Sequence, residues 1–332
     1  TLITNLETSS RGLSIDTYAV VPLNTRSGLI AWVYDTIPLK QFILKSDPES
    51  LNEADLEYQK WFYCNRVEKN PFLMYKMHSR EETIQNFTRI KNILPEGLLR
   101  NSVNRMASSP EAFFYLRFQM LTSHAVLCIC HWLLGIGDRH LENILVSTKT
   151  GRFLGIDFGH AFDMAVALPI PELIPFRMTP QIENLAAPLY IKGCLQESMV
   201  YTLQALRFNN QVLLNTMDVF IKEPTILWLS KICQKDHASE EYWYPQNKIN
   251  TARRKLEGDH PCHILISELE SSHKNDPLLP YFTKLVLGVE ENIRTSYDET
   301  NLTSREQVQC LLDQATDKHI LGKTYFGWHP FV

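Results

Sequence analysis

Two hydrophobic periods divide the chain. Near the start, TYAVVPL (17–23) and GLIAWV (28–33) are β-branched and aromatic runs separated by NTRS, which predicts two strands and a turn. The period then lengthens. SDPESLNEADLEYQKWFYCNRVEKNP (46–71) reads as a loop entering a helix over about residues 53–65, ended near Pro71. Ser79, followed by Glu81 and Glu82, predicts the start of a helix through REETIQNFTRIKNIL (80–94).

The strongest helical signal is SSPEAFFYLRFQMLTSHAVLCICHWLL (108–134). Ser109 suits the cap, Pro110 the first helical position and Glu111 the first turn. Apolar residues surround its second half on all sides, which predicts burial at the centre of a domain. Gly135 and Gly137 end it. After them NILVS, the turn TKTG and RFLGID (143–157) predict a β-hairpin carrying Asp157 at its far end.

Residues 158–180 show no clear period and contain Pro169, Pro171, Pro175 and Pro180, so an extended loop is expected. Residues 181–256 are mostly helical in pattern, and 257–300 are polar, interrupted and indecisive. SREQVQCLLDQATDKHIL (304–321) predicts an amphipathic helix capped by Ser304, with Gln307 as the capping-box partner. TYFGWHPF (324–331) then crowds Tyr325, Phe326, Trp328 and Phe331 together. Docking on the body of the protein, in support of the loop at 158–180, is the expected role, and partner binding a secondary one.

At 332 residues, with 44% hydrophobic and 21% charged, the composition is that of a soluble globular chain with one large domain or two smaller ones. The net charge of -4 argues against a nucleic-acid-binding body. The one compact basic run, Arg253-Arg254-Lys255, reads as a solvated helix face. The 7 cysteines are scattered and lack zinc spacing, so reduced thiols in an intracellular compartment are expected. The apolar run from Ala125 to Ile136 is short for a membrane span and contains His131. TLITNLETSS lacks the features of a signal peptide, and an opening Thr1 in place of methionine leads us to expect a piece of a larger protein.

The chemistry concentrates in GIGDRHLENILV (135–146) and GIDFGHAF (155–162). Phosphoryl transfer from ATP requires magnesium ligands spanning the phosphates and a group that takes or orients the proton of the substrate hydroxyl. Here Asp138 precedes Asn143 by five positions, and the hairpin delivers Asp157-Phe158-Gly159, the order in which protein kinases place these parts. Asp157 suits a magnesium ligand, and Asn143 offers a neutral carbonyl oxygen to a second ion. Asp138 is placed to orient or deprotonate the hydroxyl. His140 either shares that task or donates to the γ-phosphate as charge develops. Arg139 is expected to pair with a carboxylate of the loop. A lone DFG or DRH is weak; their joint order behind a buried helix makes coincidence a poor explanation.

These two stretches resemble the catalytic and activation loops of the phosphatidylinositol 3-kinase-related protein kinases, where DRHxxN replaces HRD. YAVVPLNTRSGLIAWV (18–33) is similar to that family's strand pair leading into the interlobe hinge, and ATDKHILGKTYFGWHPFV (315–332) resembles its FATC domain. The resemblance implies an α+β, two-lobed, protein-kinase-like domain of the PI3K/PI4K type with a mainly helical large lobe. Residues 1–33 would be the end of a truncated small lobe and the hinge, 34–299 the large lobe and 300–332 the FATC domain. It also implies ATP and Mg2+ as cofactors. Trp32 and Val33 would read adenine at the hinge, Tyr18 would line the inner pocket, and Leu145 and Ile156 would sandwich the base from below. Phe158, Gly159, Glu172 and Arg177 would belong to the activation loop.

A narrower similarity, in RMASSPEAFFYLR (105–117), PIPELIPFRMT (169–179) and LDQATDKHILGKT (312–324), points to DNA-repair members of the family. It implies a nuclear enzyme preferring Ser or Thr followed by Gln, working with the Ku heterodimer at DNA ends in non-homologous end joining. Ku and DNA would bind upstream regions, so neither DNA nor membrane binding is expected here. No phosphate-covering loop or strand lysine precedes Tyr18, and Lys40 and Lys45 follow the hinge; this segment alone is expected to be inactive.

Three readings compete: a Ser/Thr protein kinase, a lipid kinase and a kinase-shaped scaffold. Between Phe158 and Thr179 the only Arg or Lys is Arg177, offset by Asp163 and Glu172. A phosphorylated inositol headgroup needs several cations, so a protein hydroxyl is the better substrate. The scaffold reading is weakened by the presence of Asp138, His140, Asn143 and Asp157 together.

Overall fold

The computed structural model describes residues 10–24, 27–45, 47–64, 72–221, 243–288 and 300–332. The expected helical pattern over 222–242 and part of the indecisive stretch, 289–299, fall outside the described residues.

Strands β1 (Val20–Asn24) and β2 (Ser27–Ile30) pair antiparallel, with Val20 opposite Ile30. The second is shorter than its apolar run, since Trp32 and Val33 lie beyond it. The predicted hairpin forms as β4 (Ile144–Ser147) and β5 (Phe153–Gly155). It gains an unpredicted third strand, β3 (Thr36–Pro38), with Pro38 opposite Leu145. Three residues ending in proline carry little strand signal, and such a strand is tolerated only at a sheet edge. On β4, Ile144 and Val146 face the core, while Leu145 and Ser147 lie half-buried on the other face.

The helix Pro110–Leu134 begins as its sequence predicts: the Ser109 side chain accepts the Ala112 N–H, and Pro110 opens the first turn. Its 25 residues make it long and apolar enough, by length and composition, to cross a membrane. It is instead the central core helix of this fold, with residues 120–133 buried throughout, packed against the helix Cys194–Phe208. Reading only the run after Ala125 underestimates it.

The helix expected over 53–65 starts earlier, at Pro48–Phe62, because Asp47 caps it by accepting the Ser50 N–H. The indecisive stretch holds two helices, Pro261–Ser272 and Leu279–Leu287. In the basic run at 253–255, Arg253 is exposed as expected and Arg254 is half-buried, but Lys255 is not solvated. Lys255, on the helix Trp243–Glu257, is 2% exposed, and its ammonium donates to the Asp163 carboxylate at 2.9 and 3.0 Å and to the Trp132 carbonyl at 2.8 Å.

At the C-terminus the capping box lies one residue before the position expected from sequence. Thr303 and Glu306 cap the helix Ser304–Ala315, leaving Gln307 buried and donating to the Asp259 carbonyl. The aromatic tail docks on Pro48–Phe62. The Tyr58 hydroxyl lies 2.9 Å from the Leu321 carbonyl and 2.8 Å from that of Thr324, while its ring meets Phe331. Phe62 packs against Tyr325 and Phe326, and Phe331 and Val332 are fully buried. Replacing Phe331 with alanine is therefore expected to cost about 3–5 kcal/mol, as for other buried aromatic truncations. A denaturant titration checks this, and an unchanged midpoint would mean the tail is not docked.

Candidate active site

The site is built from the end of the central helix. Gly135 stops the helix at φ +59°, a left-handed conformation that favours glycine. At Gly137 a side chain is excluded by contact: a Cβ there would lie 2.2 Å from the Ala165 Cβ and 2.7 Å from Glu172 Oε2. The segment after Asp157 lies along this turn. Gly137 N–H donates to the His160 carbonyl at 2.7 Å, Asp163 N–H to Gly135 at 2.9 Å, and Phe162 N–H to Leu134 at 2.9 Å.

Arg139 joins the two motifs. It is 1% exposed, and its guanidinium donates to the carbonyls of Gly137 and Ile156, both at 2.8 Å, and of Asp157. The expected carboxylate partner is replaced by backbone, because a planar fork of donors can hold several carbonyls from two loops at once. Burial pulls the Arg139 pKa down, while the carboxylates of Glu172, Asp138 and Asp157 push it back up.

The acceptor and donor groups follow. Asn143 is buried; its side-chain amide nitrogen donates to the Asp138 carbonyl at 3.0 Å, and its backbone carbonyl accepts the Ile156 N–H at 3.0 Å. Its amide nitrogen being committed, the Oδ1 oxygen is the side-chain atom left to ligate a cation. Asp157 is exposed, with Oδ1 accepting the Gly159 N–H at 3.1 Å. These are oxygen donors of the kind a hard divalent cation takes, so the pair fits magnesium. Asp138 and Asp157 both hold positive φ, +58° and +56°. Non-glycine residues in that region are costly and concentrate at functional sites. His140 is half-buried, and its carbonyl accepts the Asn143 N–H at 2.9 Å.

Asp138, Asn143, Ile156 and Asp157 thus form one hydrogen-bonded unit around Arg139. Tyr18 reaches it through Phe158, with ring centroids 6.3 Å apart and planes inclined by 12°. These two rings line an apolar cavity of about 530 Å³ with Leu134, Leu213 and Phe220. Leu145 lies on the β4 face turned from the core. Trp32 is 79% exposed, and among the described residues no ring contact joins it to Tyr18 or Phe158. The Val33 carbonyl accepts the Thr36 hydroxyl at 2.9 Å.

Two residues of the segment after Asp157 do more than their sequence position suggests. Glu172 is buried and accepts the Asp138 N–H through Oε2 at 2.6 Å. Arg177, 2% exposed, donates to the carbonyls of Trp328 and His329 in the tail, both at 2.7 Å. Burial pushes the Glu172 carboxyl up to about 8, against the opposing pull of the Asp138 N–H, Arg139 and Arg177. The folded chain therefore retains a proton that the unfolded chain releases near pH 4.5. That stabilisation is complete below the unfolded value and is lost as pH rises through the folded one. The unfolding midpoint is expected to fall between about pH 5 and pH 8 and the Glu172→Gln variant to lose this slope, which midpoints across that range would check.

With this geometry in place, comparisons with known proteins are informative. Residues 2–230 match the family described as phosphatidylinositol 3- and 4-kinase, and residues 301–332 match the FATC domain. Over 98% of its length the chain is 39% identical to the DNA-dependent protein kinase catalytic subunit of Canis lupus familiaris. Over 97% it is 36% identical to the protein of that name from Dictyostelium discoideum. The serine-protein kinase ATM of Sus scrofa is 26% identical over 99% of the chain. The chain spans only 8% of the first two relatives and 10% of the third. A match over most of its residues, with a connected site at its centre, shows that the chain belongs to the phosphatidylinositol 3- and 4-kinase family and carries an FATC domain.

Proposed function

We propose that this chain is the catalytic segment of an ATP-dependent protein kinase that phosphorylates serine and threonine. The observation that carries the choice of substrate is the fate of Arg177. It is the one Arg or Lys between Phe158 and Thr179, and its guanidinium is buried on the carbonyls of Trp328 and His329. A loop without an available Arg or Lys is poorly suited to a phosphorylated inositol headgroup, which disfavours lipid phosphorylation despite the family's name. A kinase-shaped scaffold is disfavoured by the connected unit of Asp138, Asn143 and Asp157.

In this reading Asp157 and Asn143 hold magnesium, which supplies charge neutralisation on the phosphates. The substrate hydroxyl attacks the γ-phosphorus, its proton passing to Asp138 or His140, and the bond to ADP breaks. Glu172 fixes the Asp138 backbone from behind. Phe158 and Gly159 follow the metal ligand, and Tyr18, Trp32, Val33, Leu145 and Ile156 surround the nucleotide. Residues 1–33, 34–299 and 300–332 are the small-lobe end, large lobe and FATC domain.

The names of the more similar relatives favour a DNA-dependent kinase. We extend the reading to a nuclear enzyme that acts on Ser/Thr-Gln sites, with Ku and DNA ends bound by other parts of the full-length protein. The test uses that protein with and without DNA ends, following γ-phosphate transfer to Ser-Gln and Ser-Ala peptides and to a phosphoinositide. DNA-stimulated transfer to Ser-Gln, abolished by Asp157→Ala, is expected; transfer to lipid, or none, would contradict the reading. At saturating ATP, loss of a single general base at Asp138→Asn should lower kcat by about 10²–10⁴-fold. An equal loss in His140→Gln would show the proton role is divided.

A further inference from the structure

The turn between β4 and β5 is seated on the central helix. Gly151 holds φ +74°, and a Cβ there would lie 3.2 Å from both the side chain and the carbonyl of Leu116. The Phe153 N–H donates to the Ser123 hydroxyl at 2.9 Å. The same hairpin leads on to Asp157.

From this seat Arg152 reaches the chain that enters β1. Its guanidinium donates to the Asp16 carboxylate at 2.8 Å and to Ser14 twice, the carbonyl at 2.8 Å and the hydroxyl at 2.9 Å. A further bond, at 3.2 Å, goes to the Gln119 side chain of the central helix. So many acceptors on separate segments suit a planar fork of donors, which lysine does not reproduce. Leu13 is buried and Tyr18 half-buried, but Ser14, Ile15, Asp16 and Thr17 between them are exposed. Packing therefore fixes this stretch weakly, and among the described residues Arg152 supplies the polar contacts on Ser14 and Asp16.

The chain leaving β2 meets the same turn. The Asp35 carbonyl accepts the Thr148 N–H at 2.7 Å and the Thr148 hydroxyl at 3.0 Å, and the Lys149 ammonium lies 2.6 Å from the Asp35 carboxylate. Both strands of the ribbon are exposed along their length, so its two connections carry its placement on the body. One turn holds both.

We propose that Arg152 is a positioning residue for the nucleotide: by fixing residues 14–16 to the hairpin that carries Asp157, it keeps Tyr18 stacked against Phe158. The inference rests on the reading of Tyr18 and Asp157 as nucleotide and magnesium groups. None of the hydrogen bonds of Arg152 reaches Asp138, His140 or Asn143, and Arg139 ties those loops together independently. Loss of the tie should weaken nucleotide binding and leave the chemical step intact.

The test uses the full-length protein with DNA ends. Affinity for a non-hydrolysable ATP analogue is titrated directly, and kcat for the Ser-Gln peptide is measured at saturating ATP. Arg152→Gln is expected to weaken nucleotide binding roughly three- to tenfold, the scale of a partly exposed ion pair with added hydrogen bonds, with kcat close to wild type. Arg152→Lys should recover part of the affinity. Asp16→Asn alters an exposed side chain, so it should keep the fold and weaken binding in the same direction by less. A contribution to stability alone would not separate affinity from turnover in this way. Unchanged affinity in Arg152→Gln, equal losses of affinity and kcat, or a loss of kcat alone would overturn the proposal. A wild-type protein that binds the analogue and transfers no phosphate would contradict the kinase reading instead, and the affinity comparison would still decide the role of Arg152.

Discussion

The buried guanidinium of Arg139 is the constraint on which the site depends. It takes carbonyls from the turn before Asp138 and from the strand end that carries Asp157, and so fixes two separate loops to one rigid group. A cation this buried is costly unless its donors are satisfied. Three backbone carbonyls accept from it, and the nearby Asp138 and Asp157 carboxylates favour the charged form. Because the acceptors are backbone atoms, the carboxylate of Asp157 remains exposed and available for chemistry.

The rest of the fold keeps that arrangement in place. The central helix ends at Gly135, where the segment after Asp157 is hydrogen-bonded back onto the turn. Lys255 braces the same turn by holding Asp163 and the Trp132 carbonyl together. From the other side, Glu172 supports the Asp138 N–H, and Arg177, five residues later, is anchored to the C-terminal tail. The Gln314 side chain adds a further tie, donating to the Leu173 carbonyl at 2.7 Å. Tail docking and the geometry around Asp138 are thereby coupled through a short, buried stretch of polar contacts.

Much of this was legible in the sequence because it rests on local rules. The cap at Ser109, the apolar run behind it, the glycine stop and the hairpin up to Asp157 are all readable from periodicity and turn chemistry. The order Asp138, Asn143, Asp157 likewise survives as one connected unit. What escaped depends on long-range burial. Lys255 looks like part of a solvated triplet until its partner, Asp163, some ninety residues earlier, is known. Strand β3 needs its neighbour β4 to exist at all. Arg139 suggests a carboxylate partner by charge, but its donors go to carbonyls that no pattern of side chains advertises. The cap at Thr303 competes with an equally good signal one residue later, and packing of Gln307 decides between them.

The central claim is that Arg139 positions both loops for phosphoryl transfer, and the most direct test is Arg139→Lys in the full-length protein. Lysine keeps the charge but lacks the planar fork. Nucleotide affinity and turnover would be measured together at saturating peptide. The account predicts nucleotide binding close to wild type with kcat lower by about a hundredfold, the scale of loss for a displaced catalytic group. Turnover equal to wild type would contradict it.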